Sequence, residues 1–155
     1  MPYRRAAYSV LVAKVNATAS VPASPARTWA VASDLTRFDE WMTLHDGWRG
    51  EMPAVIEEGT ALTSVVSVMG LRNRISWRVE SYEPPSALRI SGRGVGGVRV
   101  ILSLAIRATG ESTSEVTIDA EVTGRPVFGP LGFAIGRAVR ADVRESVATL
   151  ADLVS

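Results

Sequence analysis

The last stretch of the chain, residues 128–154, is its longest segment with helical periodicity. When the residues are placed at steps of about 100° from Val139, the apolar ones gather on one arc, and Arg137, Arg144 and Asp152 fall opposite. The apolar arc contains Gly132, Ile135, Val139, Val143, Ser146, Leu150, Leu153 and Val154. A long helix with one apolar face is stable only against another layer of structure, so the rest of the chain must supply that layer.

The preceding residues supply strands, because apolar and polar side chains alternate in several short runs. The clearest run is 98–106, and the others are 14–21, 47–51, 60–69, 72–82, 88–90 and 116–122. Pro22 ends the first run, and Ser24 is placed to cap a short helix at 25–33, with a second short helix at 36–41. This order predicts an α+β fold, in which a curved antiparallel sheet wraps around the long C-terminal helix and two short helices follow the first strand.

The composition bounds the class of protein. At 155 residues the chain is expected to form a single domain, residues 1–155, with 1–12 as a ragged N-terminal extension. It has no Cys and one His, so disulfides and Cys nucleophiles are excluded, and neither a metal site nor a cofactor is expected. Seventeen Lys and Arg stand against sixteen Asp and Glu, a balance that gives no argument for nucleic acid or an anionic membrane. No apolar run reaches the roughly 18 residues of a membrane span, and the expected location is cytoplasmic.

Several short strings carry a resemblance to a known family. They are Trp29, 33–37 (SDLTR), Trp41, 82–85 (YEPP), 92–98 (GRGVGGV), 128–130 (FGP) and 140–146 (RADVRES). Together with the order of elements over 14–154, they make the chain similar to the START/Bet v 1-like (SRPBCC) superfamily, whose fold is called helix-grip. Within it, the chain resembles the actinobacterial branch labelled polyketide cyclase/dehydrase. The resemblance implies a cavity between the sheet and the long helix that holds an apolar ligand.

The resemblance leaves three functions open. The first is binding of a hydrophobic small molecule that is lipid-like or polyketide-like. The second is a polyketide cyclase or dehydrase type of enzyme. One similar mycobacterial protein is described as the toxin of a toxin–antitoxin pair, which implies a third function through macromolecular contact, with an antitoxin or a second copy of the chain as partner. The family has no portable motif of functional residues, so the resemblance transfers no residue role.

The inward positions of the predicted strands and helix give the residues expected to line the cavity. They are Trp41, Leu62, Ser64, Val66, Trp77, Val100, Leu102, Ile118, Ile135, Val139, Asp142, Val143 and Ser146. The polar members have two interpretations. In one, Ser146 bonds back to a helix carbonyl and Asp142 pairs with an Arg. In the other, Ser64, Asp142 and Ser146 are the few oriented polar groups of an apolar pocket.

His45 is the only histidine, and with Asp142 it is a candidate catalytic residue. Asp46 follows His45 directly. Adjacent side chains on an extended chain point in opposite directions, so Asp46 is a poor partner for orienting the imidazole. A role for His45 in loop packing is the alternative.

A glycine string, Gly92-x-Gly94-x-x-Gly97, matches the dinucleotide-binding fingerprint. That mechanism needs a helix N-terminus immediately after the string. Residues 98–106 alternate as a strand instead, so a turn between two strands is expected.

The middle of the chain is locally basic. The arginines with outward parity are Arg74, Arg78, Arg89, Arg99 and Arg107. A solvated sheet face whose charges deter edge pairing is one interpretation, and a contact patch for a macromolecule is the other. No aromatic residues interleave on that face, so nucleic acid is not the expected partner.

Overall fold

The computed structural model describes residues 9–125 and 130–155. Seven antiparallel strands form one sheet in the order β1-β7-β6-β5-β4-β3-β2. The strands are β1 (Val10–Val21), β2 (His45–Arg49), β3 (Ala61–Val68), β4 (Leu71–Glu83), β5 (Ala87–Arg93), β6 (Arg99–Gly110) and β7 (Thr113–Gly124). β1 pairs with β7 and forms one edge of the sheet, β2 forms the other edge, and the sheet curls around the long helix.

Two short helices follow β1, as the sequence predicts. Helix α1 (Pro25–Ala32) begins at Ser24, whose side chain accepts a hydrogen bond from the Arg27 amide at 3.2 Å. Such a cap satisfies one of the amides that a helix N-terminus leaves free. A 3₁₀ helix (Leu35–Glu40) comes next and carries Phe38 into the core.

The long helix α2 (Pro130–Val154) lies across the concave face of the sheet and contacts β1, β3 and β7. Its C-terminal half is tightly packed, since Val143, Val147, Leu150 and Val154 are each at most 2% exposed. Its N-terminal half is not, because Ile135 is only half-buried and Phe133 is 66% exposed. The space under the helix is therefore filled toward its end and open toward its beginning. The predicted α+β fold is confirmed.

Several strands differ from the predicted ranges by a few residues, and the differences in β1 and β2 bear on the site. Residues 10–12, expected in a ragged extension, belong to β1, where a bulge between Leu11 and Ala13 interrupts the pairing with β7. The extra residue breaks the alternation that would have shown the strand in the sequence. Strand β2 begins at His45 and contains a similar irregularity before Trp48. Residues 1–8 of the expected extension, and the predicted helix start at 128–129, lie outside the described residues.

The glycine string forms the expected turn between β5 and β6. Gly96 and Gly97 have φ values of 81° and 76°, which glycine adopts without the steric cost of a side chain. In the described part of the chain, no helix is long and apolar enough to cross a membrane.

Candidate functional site

A cavity of about 570 Å³ lies between the inner face of the sheet and the N-terminal half of α2. Phe38 and Met42 contribute to its wall from the segment after α1, and Ile135 and Val139 contribute from α2. Most of the remainder comes from side chains of the strands, the majority of them aliphatic or aromatic. This size and composition are typical of sites for apolar small molecules.

The inward side chains of β6 and β7 show that the cavity is a real gap in the packing. Val100, Leu102 and Val122 point inward yet are only half-buried. Farther along the same strands, Ile106, Val116 and Ile118 are at most 5% exposed. The residual exposure of the first group therefore comes from the space in front of them, which the core does not fill.

Eight of the candidate residues from the sequence lie on the cavity wall. They are His45, Ser64, Val66, Trp77, Val100, Leu102, Ile135 and Val139. They come from five different elements, β2, β3, β4, β6 and α2, which the curl of the sheet brings around one space.

Six candidates are not on that wall: Trp41, Leu62, Ile118, Asp142, Val143 and Ser146. Val143 and Ser146 lie one and two turns beyond Val139, where α2 is packed against the core. Leu62 and Ile118 occupy the filled part of the core, at 6% and 1% exposure. The alternation and the helical periodicity indicate which side chains face inward, but they do not distinguish a packed position from one that faces a gap.

Ser146 and Asp142 hold the chain after the 3₁₀ helix against α2. The Ser146 Oγ accepts from the Thr43 amide at 3.0 Å and donates to the Asp142 carbonyl at 2.8 Å. The Thr43 hydroxyl also lies 3.2 Å from the Asp142 carboxylate. Ser146 thus bonds back to the helix, as in the first interpretation, whereas the partner of Asp142 is Thr43 and not an arginine.

One hydrogen bond joins two side chains of the cavity wall. The Trp77 indole N–H donates to the Ser64 Oγ at 2.8 Å, and both residues are buried. This bond fixes the orientation of the Trp77 ring. It also consumes an acceptor position of the Ser64 hydroxyl and leaves its proton free for another partner.

His45 lies on the same wall without an orienting carboxylate. Its ring packs against Trp48, with centroids 4.8 Å apart, and against Phe38 at 6.0 Å. Burial lowers the pKa of His45 below its ordinary value of 6.5, while the charges of Asp39 and Asp46 oppose that shift. The Asp46 carboxylate is bound by Arg72 at 2.8 Å. The imidazole is therefore a neutral, half-buried group that can accept or donate one hydrogen bond inside the cavity.

The open end of the cavity carries its more polar groups. Arg72, Asn73 and Arg125 line it there. Asn73 holds the β5–β6 turn through both its amide nitrogen and its oxygen, which bond to the Val95 backbone at 3.2 and 3.0 Å. Arg125 is exposed and forms none of the ion pairs present among the described residues.

Several wall residues were absent from the sequence-based set. Val10, Leu11 and Val12 line the cavity because β1 begins earlier than its alternation indicates. Phe133 lines the cavity from the N-terminal half of α2, although it is 66% exposed. Trp48 also lines the cavity, and its indole N–H donates to the Leu35 carbonyl at 2.6 Å. The four tryptophans of the chain were the sequence signal that could have pointed to it.

The described residues contain no group of three or more His, Cys, Asp or Glu that could hold a metal ion.

Comparison with known families decides what kind of protein carries this cavity. Residues 12–155 match the model of the family described as polyketide cyclase/dehydrase and lipid transport. The chain belongs to this family. The resemblance read from the sequence is confirmed, and the ligand-binding fold typical of this family is present.

Two proteins of Mycobacterium tuberculosis are similar to this chain over most of its length. One, named as a toxin, is 43% identical over 136 residues, which cover 88% of this chain and 94% of the relative. Another, which carries no functional name, is 40% identical over 142 residues, or 92% of this chain and 99% of the relative.

Solved structures share the fold at low identity. A START superfamily protein from Mycobacterium smegmatis superposes with a TM-score of 0.70 at 15% identity, covering 92% of this chain and 99% of the other. An aromatase/cyclase from Streptomyces gives a TM-score of 0.68 at 13% identity, covering 91% and 92%. At this distance the likeness shows the family fold and leaves the chemistry open.

Proposed function

We propose that the protein binds a hydrophobic small molecule, lipid-like or polyketide-like, in the cavity under the first half of α2. The observation that carries the proposal is the cavity itself, about 570 Å³ with a mainly apolar wall. Ligand sites usually measure roughly 300–1,000 Å³ and have a few polar groups among apolar ones. If a space of this size stayed empty, the side chains around it would lose the packing contacts that a ligand supplies.

The polar groups of the wall favour an amphipathic ligand. Inside the cavity, the free hydroxyl proton of Ser64 offers one hydrogen bond, and nearer the opening the neutral ring of His45 offers another. At the open end, Arg125 offers a permanent positive charge. A ligand with an apolar body and an anionic or strongly polar head at the opening would match this order of groups.

An enzyme of the cyclase or dehydrase type is a narrower version of the same proposal. Its proton carrier would be His45, the only histidine of the chain, whose imidazole lies on the cavity wall. Asp142, the other candidate, is bonded to Thr43 and is absent from the cavity wall. The binding proposal does not depend on a reaction.

The test is a fluorescence titration with cis-parinaric acid, a polyene fatty acid that emits more strongly in an apolar environment. We expect saturable binding by the unchanged protein. Val100→Phe should weaken it at least tenfold, because the larger ring occupies the space that Val100 faces. Ile101→Phe is the matched control, since Ile101 is the next residue on β6 and points to the other side of the sheet. Equal affinities for both variants and the unchanged protein would contradict the proposal.

A second candidate function is that of a toxin acting through macromolecular contact, with an antitoxin as partner. It is favoured by the relative named as a toxin at 43% identity. The surface available for it is the outer face of β4, where Arg74 and Arg78 are exposed. Reversal of both to Glu should abolish growth arrest on induced expression, whereas Arg27→Glu on α1 should not. No growth arrest with the unchanged protein would reject this candidate.

A further inference from the structure

The exposed apolar side chains of this protein are concentrated at one end. Among the described residues, eight large apolar side chains are exposed: Val10, Leu11, Val55, Met69, Leu71, Val95, Leu131 and Phe133. All but Val55 belong to the segments around the opening of the cavity, which we call the cavity end. These segments are 9–12, 44–46, 68–73, 93–99, 123–125 and 130–137.

The strand pairing and the cavity wall place these residues together. Val10, Leu11, Leu71 and Phe133 are exposed and also line the cavity, so they form its rim. Met69 precedes Leu71 in the tight turn between β3 and β4.

The two remaining side chains are tied to the same rim. Val95 is anchored to Asn73 by two hydrogen bonds. Leu131 precedes Gly132, which lines the cavity. The rim is thus one apolar surface built from β1, two strand turns and the start of α2.

Charges are distributed unevenly between the two ends. The basic residues of the cavity end are Arg72, Arg93, Arg99, Arg125 and Arg137, and its acidic residue is Asp46. Asp46 is neutralised by Arg72 at 2.8 Å. The turn segments of the opposite end, 49–60, 82–87 and 107–115, contain six acidic residues: Glu51, Glu57, Glu58, Glu83, Glu111 and Glu115. Their basic residues are Arg49 and Arg107, and Arg107 is bonded to Glu115.

Although the net charge is close to zero, positive and negative charges are therefore separated along the molecule. Its positive pole coincides with the apolar rim and its negative pole lies away from it. An apolar surface interspersed with arginines is complementary to a bilayer that exposes anionic headgroups over an acyl interior. An acidic pole on the far side would orient the protein toward such a surface before contact.

We propose that the cavity end docks on an anionic lipid bilayer and presents the opening of the cavity to it. The rim side chains enter the headgroup region, and Arg93, Arg99, Arg125 and Arg137 pair with lipid phosphates. Docking rests on this surface alone. Docking would allow an apolar molecule to pass between the bilayer and the cavity without exposure to water, and this second step rests on the proposed function.

The test is flotation of the protein with vesicles of phosphatidylglycerol and phosphatidylcholine, against vesicles of phosphatidylcholine alone. We expect binding to the anionic vesicles that falls as salt is raised, because Debye screening weakens the phosphate contacts. Replacing both Arg93 and Arg99 with Gln should reduce the partition coefficient by roughly fivefold per charge. Arg27→Gln on α1 is the control and should leave it unchanged.

The apolar part is tested with Met69→Glu combined with Val95→Glu. These side chains are 55% and 75% exposed and do not line the cavity, so parinarate binding should be retained. Val55→Glu is the matched control, because Val55 is 64% exposed at the opposite end. We expect the double variant to lose vesicle binding and the control to keep it.

Three outcomes would overturn the docking proposal. The first is no vesicle binding by the unchanged protein, and the second is an equal loss in the Val55 control. The third is a dimer, seen by light scattering, that the Met69 and Val95 substitutions dissociate, because the rim would then be covered by a second copy. Failure of parinarate binding with retained vesicle binding would reject the proposed function and leave docking intact.

Discussion

The Trp77 indole N–H donates a hydrogen bond to the Ser64 Oγ across β3 and β4 at 2.8 Å, at the edge of a large apolar cavity. Trp77 presents its ring to that cavity while its polar atom is satisfied within the sheet. Gly92, its register partner on β5, leaves the ring room, because a Cβ there would lie 2.7 Å from Trp77. A small residue and a hydroxyl thus hold one of the two tryptophans of the wall in place.

Ser64→Ala should destabilise the protein by about 1–3 kcal/mol, since it leaves a buried indole N–H without an acceptor. The measurement is urea unfolding. In the Trp77→Phe background, which has no indole N–H, the same substitution should cost clearly less. Additive losses in the double variant would contradict the role assigned to this bond.

Ser146→Ala should cost about 1–3 kcal/mol of unfolding free energy, because the Thr43 amide loses its acceptor. Parinarate affinity should remain within twofold of that of the unchanged protein, since Ser146 does not line the cavity. A large loss of affinity with unchanged stability would instead return Ser146 to the ligand site.

Gly136→Ala should destabilise the protein although alanine is the better helix former. A Cβ at Gly136 would lie 2.6 Å from the Val12 carbonyl oxygen, a backbone atom that β1 holds in place. Overpacking of this kind typically costs about 1–3 kcal/mol. At exposed Ala141 on the same helix the preference should reverse, and Ala141→Gly should cost about 1 kcal/mol. Thermal unfolding of both variants checks the prediction, which a stabilised Gly136→Ala protein would refute.

His45 should make stability fall as the solution is acidified. Burial lowers its pKa in the folded protein below 6.5, so the unfolded chain binds the proton more readily. The contribution of the neutral ring is therefore complete above the unfolded pKa and is lost as pH falls through that value toward the folded one. Urea unfolding at about pH 7.5 and about pH 5.5, compared with His45→Asn, measures it, because no other histidine titrates in this window. An identical pH dependence in the variant would show that the ring is not the cause.

The fold was predictable because its signals are local. Ser24 before Pro25 marks the start of α1, and alternation marks β3, β4, β6 and β7. The start of β1 was missed because the bulge near Val12 interrupts the pattern on which strand prediction depends. The apolar residues around Phe38 predicted a short helix there, but they did not indicate that it is a 3₁₀ helix.

The site was only partly predictable, because inward parity does not report how far a position lies from the opposite wall. Val139 and Val143 lie on the same face of α2 and are buried to nearly the same extent, yet only Val139 lines the cavity. The difference depends on where α2 departs from the sheet, which is set by contacts such as Gly136 against Val12. Ser146 illustrates the converse, because a polar residue on an apolar arc marked a tertiary hydrogen bond and not a pocket.

Native mass spectrometry of freshly purified protein tests the central claim, that the space under α2 holds an apolar molecule. The account predicts a discrete adduct in the unchanged protein and in Ile101→Phe. The adduct should be extractable into organic solvent and absent from Val100→Phe. The bare polypeptide mass in all three proteins, together with no saturable uptake of added parinarate, would contradict it.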